Sequence, residues 1–285
     1  MKVKPFVKRL ISTTILLPFG IFVVFSPWLN GIPILILLTA FVLLIAFEIS
    51  QMMEKRGYNS HIWVNSTAVT LSMVNFYLYG LGVFDIGYFF LIEMSILIVF
   101  LLTIFLLEGG RGEFGNSVEV IGVSIFTFVF VGVFAPMILL LKMMDLSGWF
   151  LAILLITAWL TDTGGLVIGK WLGKRRIPFL ASPNKTVEGY IGTFIFGQIT
   201  VIALFFAQRI FSIGTDFSIF EFMLIGVLIS IASNIGDLGE STFKRWAKVK
   251  DSGDLLPGLG GFFDMMDSVI ASAPVLYILL RFFGY

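Results

Sequence analysis

Residues 218–250 read SIFEFMLIGVLISIASNIGDLGESTFKRWAKVK, an apolar run that becomes polar before it ends. Its first part, 218–238, is long and apolar enough to cross the hydrocarbon core of a bilayer. Charged residues follow at once and continue to residue 268. We call these residues the polar cluster: Asp237, Glu240, Ser241, Lys244, Arg245, Lys248, Lys250, Asp251, Asp254, Asp264 and Asp267. Because charge beside lipid is costly, such a cluster indicates function.

The composition identifies the class of protein. The chain is 58% hydrophobic and only 13% charged, whereas a soluble domain carries about a quarter charged residues. Apolar runs of about 20 residues recur, so we expect an all-α, polytopic integral membrane protein with no nucleic-acid partner. Cysteine is absent, which excludes disulfides, thiolate nucleophiles and Cys–metal sites. We expect the single histidine, His61, to be a solvated or interfacial residue in a short loop.

The apolar runs predict about nine transmembrane helices. They lie at 10–27, 32–51, 62–80, 86–107, 119–141, 148–169, 190–210, 218–238 and 264–283. The third span, 62–80, is too polar to face lipid, so we expect it to pack among other helices. Glu93, in the fourth span, most simply packs against it. We divide the chain into an N-terminal region of about five spans, 1–143, and a C-terminal region of about four, 144–285. The C-terminal region carries two long loops, 170–189 and 239–263.

Lysine and arginine in the loops predict the orientation. With a cytoplasmic N-terminus, sixteen of the nineteen Lys and Arg residues fall on the cytoplasmic side. Both long loops and the polar cluster then face the cytoplasm. The basic, apolar N-terminus lacks a small-residue cleavage site, so we expect an uncleaved first span. A multi-pass protein of the plasma (inner) membrane follows, with its site at the cytoplasmic boundary.

Two segments upstream of the polar cluster carry chemistry. Asp162 lies inside a predicted span, where a carboxylate needs a polar cavity, or else a packing contact with a neighbouring Ser or Thr. Ser182 and Pro183 form a helix-start signal, and the free N–H groups of a helix start attract anions. Lys185 and Thr186 follow in the expected first turn and favour phosphate binding. Glycines 165, 169 and 173 form a small-residue stripe that favours close helix packing.

The polar cluster itself indicates a hard metal ion and phosphate. Asp237 and the polar residues up to Arg245 recur every three or four positions, which places them on one helix face. Asp264 and Asp267 repeat that spacing at the start of the last span. Carboxylates without His or Cys are typical of Mg²⁺ or Mn²⁺ sites, and Mg²⁺ shared with phosphate is typical of nucleotidyl transfer. The alternative is a solvated loop with salt bridges flanking the helices.

These segments resemble a known family signature. The motifs are, in order, Asp162 in WLTDTGG, SPNKTVEG (182–189), STFKR (241–245), KDSG (250–253), LPG (256–258), Gly260–Gly261 and DMMDS (264–268). Together they resemble the bacterial phosphatidate cytidylyltransferase (CDP-diacylglycerol synthase) family, over about 160–270. The chain departs from the family pattern at two polar positions: Leu259 replaces a His, and Met265 replaces an Arg.

The resemblance implies a reaction and a set of roles. CTP and phosphatidate would give CDP-diacylglycerol and pyrophosphate, with one or two Mg²⁺ ions and possible homodimers. Asp237 and Asp264 would bind the metal, with Asp162 and Asp267 beside it. Lys244, Arg245 and Lys250 would neutralise the triphosphate. Substrate contacts would come from Ser182, Lys185, Thr186, Glu188, Ser241, Asp251, Gly260 and Gly261.

Three alternatives stay open. A CTP-dependent lipid-alcohol kinase would share the membrane site but make a lipid monophosphate. A secondary transporter would place its charges near the bilayer midplane, whereas these acids gather on one side. A catalytically impaired member of the family would explain Leu259 and Met265.

Overall fold

The protein is a bundle of membrane-length helices in a computed structural model that describes residues 20, 22–26, 31–111, 115–213, 217–253 and 260–285. The helices are α1 (Ile32–Lys55), α2 (Ile62–Gly80), α3 (Ile86–Gly109), α4 (Ser117–Thr127), a π-helix (Phe128–Phe134), α5 (Pro136–Met144), α6 (Trp149–Leu172), α7 (Val187–Ile210), α8 (Ile219–Trp246) and α9 (Phe262–Phe282). The described ranges contain an isolated antiparallel bridge between Arg176 and Thr186 and no β-strand. The all-α prediction is confirmed.

Seven helices of the described chain are long and apolar enough to cross a membrane. They are α1, α3, the continuous run Ser117–Met144, α6, α7, α8 and α9. The first predicted span, 10–27, lies mostly outside the described residues. The third, 62–80, is helical as predicted but does not qualify as a span by its composition. The fold is therefore a polytopic membrane protein.

The polar residues of α2 explain how a carboxylate is accommodated in α3. Glu93 is buried, and its two carboxylate oxygens accept hydrogen bonds from Ser72 Oγ at 2.7 Å and Asn75 Nδ2 at 2.8 Å. Buried polar groups need such partners, since an unpaired one costs about 1–3 kcal/mol. The predicted packing of Glu93 against the third span is confirmed.

The π-helix has a cause in the sequence. Pro136 lacks a backbone N–H, so the carbonyl of Gly132, four residues earlier, has no helical donor from that position. Ser72 Oγ lies within hydrogen-bond distance of this carbonyl as well as of Glu93, and its single proton serves one of the two at a time. The helix widens over Phe128–Phe134 and resumes at Pro136. The predicted fifth span, 119–141, is thus one continuous but irregular run.

Glycines set the distance between α6 and α7. A Cβ on Gly164 would lie 2.7 Å from the Gly192 carbonyl oxygen, and a Cβ on Gly192 would lie 2.7 Å from that of Gly164. Farther along, a Cβ on Gly169 would lie 3.5 Å from the Cα of Gly189. The backbones therefore touch, as small-residue stripes permit. The packing role predicted for the stripe of glycines 165, 169 and 173 is confirmed, and Gly164, which is outside that stripe, also lies close to α7.

Candidate functional site

A cavity of about 530 Å³ lies among α6, α7, α8 and α9, at the end of the bundle where α6 meets α7. It is lined by all four carboxylates that the sequence predicts as metal ligands and by three residues predicted to bind phosphate. These residues are Asp162, Asp237, Asp264, Asp267, Ser182, Lys185 and Thr186. The spacing rules that placed them on helix faces and at helix starts therefore bring them to one site.

Residues 182–186 do not begin a helix, contrary to the prediction from Ser182 and Pro183. The backbone turns at Ser182, and Arg176 then pairs with Thr186 in the antiparallel bridge. This pairing keeps Thr186 extended, so α7 begins at Val187. Thr186 is the N-cap, and its hydroxyl accepts a hydrogen bond from Gly189 N at 3.1 Å. Lys185 precedes the helix, where it forms an ion pair with Asp237.

Three carboxylates converge on the cavity side of α8 and α9. One oxygen each of Asp237, Glu240 and Asp267 lie within 4.8 Å of one another. Asp267 and Glu240 are buried, and the Asp237 side chain is 37% exposed. Like charges this close repel, so a cation or a proton among them stabilises the group. An oxygen-only donor set of this kind suits Mg²⁺.

Asp162 contacts both a hydroxyl and the cavity. Its Oδ1 accepts a hydrogen bond from Ser233 Oγ on α8 at 2.7 Å. Asp162 also lines the cavity. It therefore makes both of the contacts that its sequence position allowed, with a neighbouring serine and with a polar cavity. Its place near a metal stays a prediction.

Asp264 has different partners from the other three aspartates. Its Oδ1 accepts a hydrogen bond from Lys244 Nζ at 2.7 Å. Its Oδ2 accepts from the backbone N–H groups of Ser252 and Gly261, each at 2.9 Å. Asp264 thus holds the start of α9 to the preceding loop. Its role as a metal ligand stays a prediction, while Glu240, which was not among the predicted metal ligands, lies in the carboxylate cluster.

Cations bracket this carboxylate cluster. Lys244 Nζ lies 2.6 Å from Glu240 Oε1, one helical turn away on α8, as well as against Asp264. Arg245 Nε donates to the Ala181 carbonyl at 3.1 Å, which ties α8 to the loop before α7. Helix α8, which carries both cations, ends at Trp246. It thus extends beyond the predicted end of the span at 238 and into the predicted loop 239–263. The three-to-four spacing of its polar residues indicated this extension.

The other predicted residues lie around the cavity rather than in its lining. Glu188 Oε1 accepts from Arg175 Nε at 3.1 Å. Ser241 is half-buried on α8, and Lys250 and Asp251 are exposed after it. Gly260 has a positive φ of 91°, and the buried Gly261 donates its N–H to Asp264.

One of the two departures from the family pattern, Met265, falls within the described residues. Met265 is half-buried and packs against the hydrophobic core, which is where an apolar residue is stable. Leu259 lies outside the described residues.

Sequence reasoning missed Glu48. It lies in α1, is 1% exposed, and accepts hydrogen bonds from Ser252 Oγ, Phe262 N and Phe263 N, each at 2.9 Å. The available signal was a single carboxylate inside an apolar span, which usually marks function. His61 also differs from the prediction, since its ring is 7% exposed and lies 2.6 Å from Glu108 Oε1.

Comparison with known proteins assigns the family. The profile described as the cytidylyltransferase family matches residues 7–283. The chain belongs to this family. Proteins named phosphatidate cytidylyltransferase from Staphylococcus haemolyticus (strain JCSC1435) and Staphylococcus aureus (strain COL) are each 42% identical to it, over 125 and 127 residues. Each alignment covers 44% of this chain and 46% of the relative, so the chain spans about half the length of the curated relatives it matches.

A third relative agrees with these two. The phosphatidate cytidylyltransferase of Staphylococcus epidermidis (strain ATCC 35984) is 39% identical over 125 residues, again 44% of this chain and 46% of the relative. The family that the sequence motifs resemble is therefore the family to which the chain belongs.

Proposed function

We propose that the protein is a phosphatidate cytidylyltransferase, which converts CTP and phosphatidate to CDP-diacylglycerol and pyrophosphate. The observation that carries the proposal is the cavity among α6–α9, where carboxylates and ammonium groups meet in a membrane protein of the cytidylyltransferase family. The names of its relatives support the same activity.

The reaction needs charge neutralisation more than a base. An oxygen of the phosphatidate phosphate, already anionic, attacks the α-phosphorus of CTP, and the bond to pyrophosphate breaks on the opposite side. Lys185 and the free N–H groups at the start of α7 would hold one of the phosphates. Lys244 and Arg245 on α8, with Lys250 after it, would neutralise the triphosphate. Catalysis would rest on position and electrostatics.

The residues present fit a divalent cation. Asp237, Glu240 and Asp267 offer oxygens only, and their oxygens lie close enough together to share one ion. We propose that they hold Mg²⁺, with Asp162 and Asp264 beside them. When bound, such an ion would neutralise charge on the phosphate oxygens. Lys185 and Lys244 form ion pairs with two of these carboxylates, Asp237 and Glu240.

The cavity suits an amphipathic substrate whose acyl chains stay in the membrane. Leu166, on α6, lines the cavity and is 62% exposed, next to Gly165. Acyl chains could therefore follow the apolar surface of α6 while the lipid phosphate reaches Lys185. With the orientation given by the basic loops, the cavity would open to the cytoplasm, where CTP is present.

A product assay tests the proposal. Detergent-purified protein is incubated with Mg²⁺, phosphatidate and CTP labelled at either the α- or the γ-phosphate. We expect α-label in CDP-diacylglycerol and γ-label in pyrophosphate. With a polyprenol in place of phosphatidate, γ-label in the lipid would identify a lipid-alcohol kinase instead. No labelled lipid, beside an active family member, would identify an impaired enzyme.

A further inference from the structure

Glu48 joins the N-terminal region to the loop that precedes α9. Its Oε1 accepts the N–H of Phe262, and its Oε2 accepts the N–H of Phe263. These are free N–H groups in the first turn of α9, where a carboxylate is stabilised by the helix dipole. A side chain from α1 therefore caps the helix that carries Asp264 and Asp267.

A hydroxyl continues this contact toward the cavity. Ser252 Oγ lies 2.9 Å from Glu48 Oε2 and 3.0 Å from Asp264 Oδ2. Its single proton can be donated to only one of these carboxylates at a time. Asp264 in turn accepts from Lys244, which also pairs with Glu240. The path from Glu48 to the carboxylate cluster is thus an unbroken series of polar contacts.

The loop backbone fits closely around Glu48. A Cβ on Gly253 would lie 2.7 Å from Glu48 Oε1, and a Cβ on Gly261 would lie 2.6 Å from Glu48 Cδ. Only glycine permits this approach at the two positions. Gly253 and Gly261, on either side of residues 254–259, are therefore both held close to the Glu48 side chain.

A second contact fixes the start of the same loop. The Arg56 guanidinium, just past α1, lies 5.6 Å from the ring centroid of Trp246 and 5.8 Å from that of Tyr58. The Tyr58 and Trp246 rings are stacked at 5.4 Å. The end of α1 therefore holds the loop where it leaves α8, and Glu48 holds it where it enters α9.

We propose that Glu48 is a positioning residue for the reaction: it holds Ser252 and the first turn of α9 so that Asp264 sets Lys244 beside the carboxylate cluster. Its kinetic consequence rests on the proposed function. Glu48 does not line the cavity, so it acts through Ser252 and α9 rather than on the substrate. Loss of its charge lowers turnover more than it weakens CTP binding.

The test compares Glu48→Gln with Glu93→Gln. Both remove the charge of a buried carboxylate that accepts hydrogen bonds in an apolar helix, but the partners of Glu93 are on α2. In Glu48→Gln the amide NH₂ would face a backbone N–H of α9, which leaves two donors opposed. We expect its kcat to fall roughly 10–100-fold, as for other outer contacts of a site, with KM for CTP changed less than threefold. Glu93→Gln should keep the wild-type kcat.

A second readout does not depend on activity. Lys248 and Lys250 are exposed close to Ser252 in the chain. The rate of trypsin cleavage after these lysines therefore reports whether the segment around Ser252 has come free of Glu48. We expect faster cleavage there in Glu48→Gln than in wild type or Glu93→Gln, with unchanged cleavage at Arg175 and Arg176. Ser252→Ala, which removes only the linking hydroxyl, should lower kcat, and its effect should not add to that of Glu48→Gln.

Three results would overturn the proposal. One is an unchanged kcat and cleavage rate in Glu48→Gln. Another is an equal loss of kcat in Glu48→Gln and Glu93→Gln, which would make the role structural. The third is additive effects of Glu48→Gln and Ser252→Ala. If the wild type makes no CDP-diacylglycerol, the proposed function fails, while the trypsin comparison still decides whether Glu48 holds the loop.

Discussion

The helices α1–α5 and α6–α9 both bury carboxylates but surround them differently. In the first region, Glu93 is paired with donors from Ser72 and Asn75, and Glu108 is paired with His61. In the second, carboxylate oxygens of α8 and α9 lie within 4.8 Å of one another, and two of these acids pair with lysines, Asp237 with Lys185 and Glu240 with Lys244. A carboxylate bonded to a single neighbouring helix stabilises packing, whereas clustered carboxylates repel one another and favour bound cations. The difference indicates which buried acids serve the fold and which form the site.

Glu48 belongs to both regions. It lies in α1, yet its partners are Ser252 and the first turn of α9. Its carboxylate accepts hydrogen bonds, as that of Glu93 does. One of its partners, Ser252, also contacts Asp264, which lines the cavity. The N-terminal region is therefore a support for the site as well as a membrane anchor.

The largest effect is expected from Asp267→Asn. Asp267 is buried, and its oxygen lies within 4.8 Å of those of Asp237 and Glu240. Neutralising it weakens the cation site where charge develops, so we expect kcat to fall by about 10²–10³. Turnover of labelled CTP measures this. Asp85→Asn, at the exposed cap of α3, is the matched control and should keep wild-type turnover. A kcat for Asp267→Asn within threefold of wild type would contradict the assignment.

Lys185→Met should have the next largest effect. The ammonium pairs with Asp237 beside the start of α7, and hydrogen bonds to charged groups contribute about 1.5–3 kcal/mol. We therefore expect kcat/KM to fall roughly 10–100-fold. Lys174→Met removes an exposed cation from the same loop and is the control. Equal losses in the two variants would show that general positive charge, rather than Lys185, is needed.

Gly164→Ala tests the frame of the cavity. Its new Cβ would lie 2.7 Å from the Gly192 carbonyl oxygen, which forces α6 and α7 apart. Overpacking of this kind costs about 1–3 kcal/mol, so the melting temperature in detergent should fall. Gly122→Ala on α4 is the control, because nothing lies within 4 Å of its Cβ. Its stability should stay the same or rise. An unchanged melting temperature for Gly164→Ala would refute the close contact.

The smallest effect is expected from Glu93→Gln. Asn75 Nδ2 donates to Glu93, while Asn75 Oδ1 is buried without a partner in the described structure. The new glutamine oxygen can still accept from Asn75 Nδ2, while its NH₂ donates to Ser72 Oγ, whose proton then goes to the Gly132 carbonyl. We expect a loss of no more than about 1 kcal/mol and an unchanged kcat. Thermal unfolding measures the loss of stability, and the turnover assay measures kcat. A tenfold loss of kcat would show that a paired carboxylate of α3 also serves the reaction.

Much of the fold could be predicted from the sequence because lipid imposes length and apolarity on each span. The helices predicted at 32–51, 86–107 and 190–210 are observed with ends shifted by a few residues. The π-helix was not predicted, since periodicity does not show that Ser72 can donate to a carbonyl near Pro136. The start of α7 was placed too early because the pairing of Arg176 with Thr186 is a tertiary contact.

The site was predictable where its residues share a helix face. Asp237 and Glu240 are one turn apart, so spacing alone brings them together. The contact between Glu48 and Ser252 joins residues far apart in the chain, and no local pattern indicates it. The burial of His61 was not predicted for the same reason, because its partner Glu108 is distant in the chain.

The central proposal is that the clustered carboxylates of α8 and α9, and not the paired ones of α3, serve cytidylyl transfer. The most direct test measures transfer of α-phosphate label from CTP to phosphatidate by wild type, Asp237→Asn and Glu93→Gln in matched preparations with Mg²⁺. We predict wild-type transfer for Glu93→Gln and a loss of about 10²-fold or more for Asp237→Asn. Equal transfer by the two variants would contradict the account.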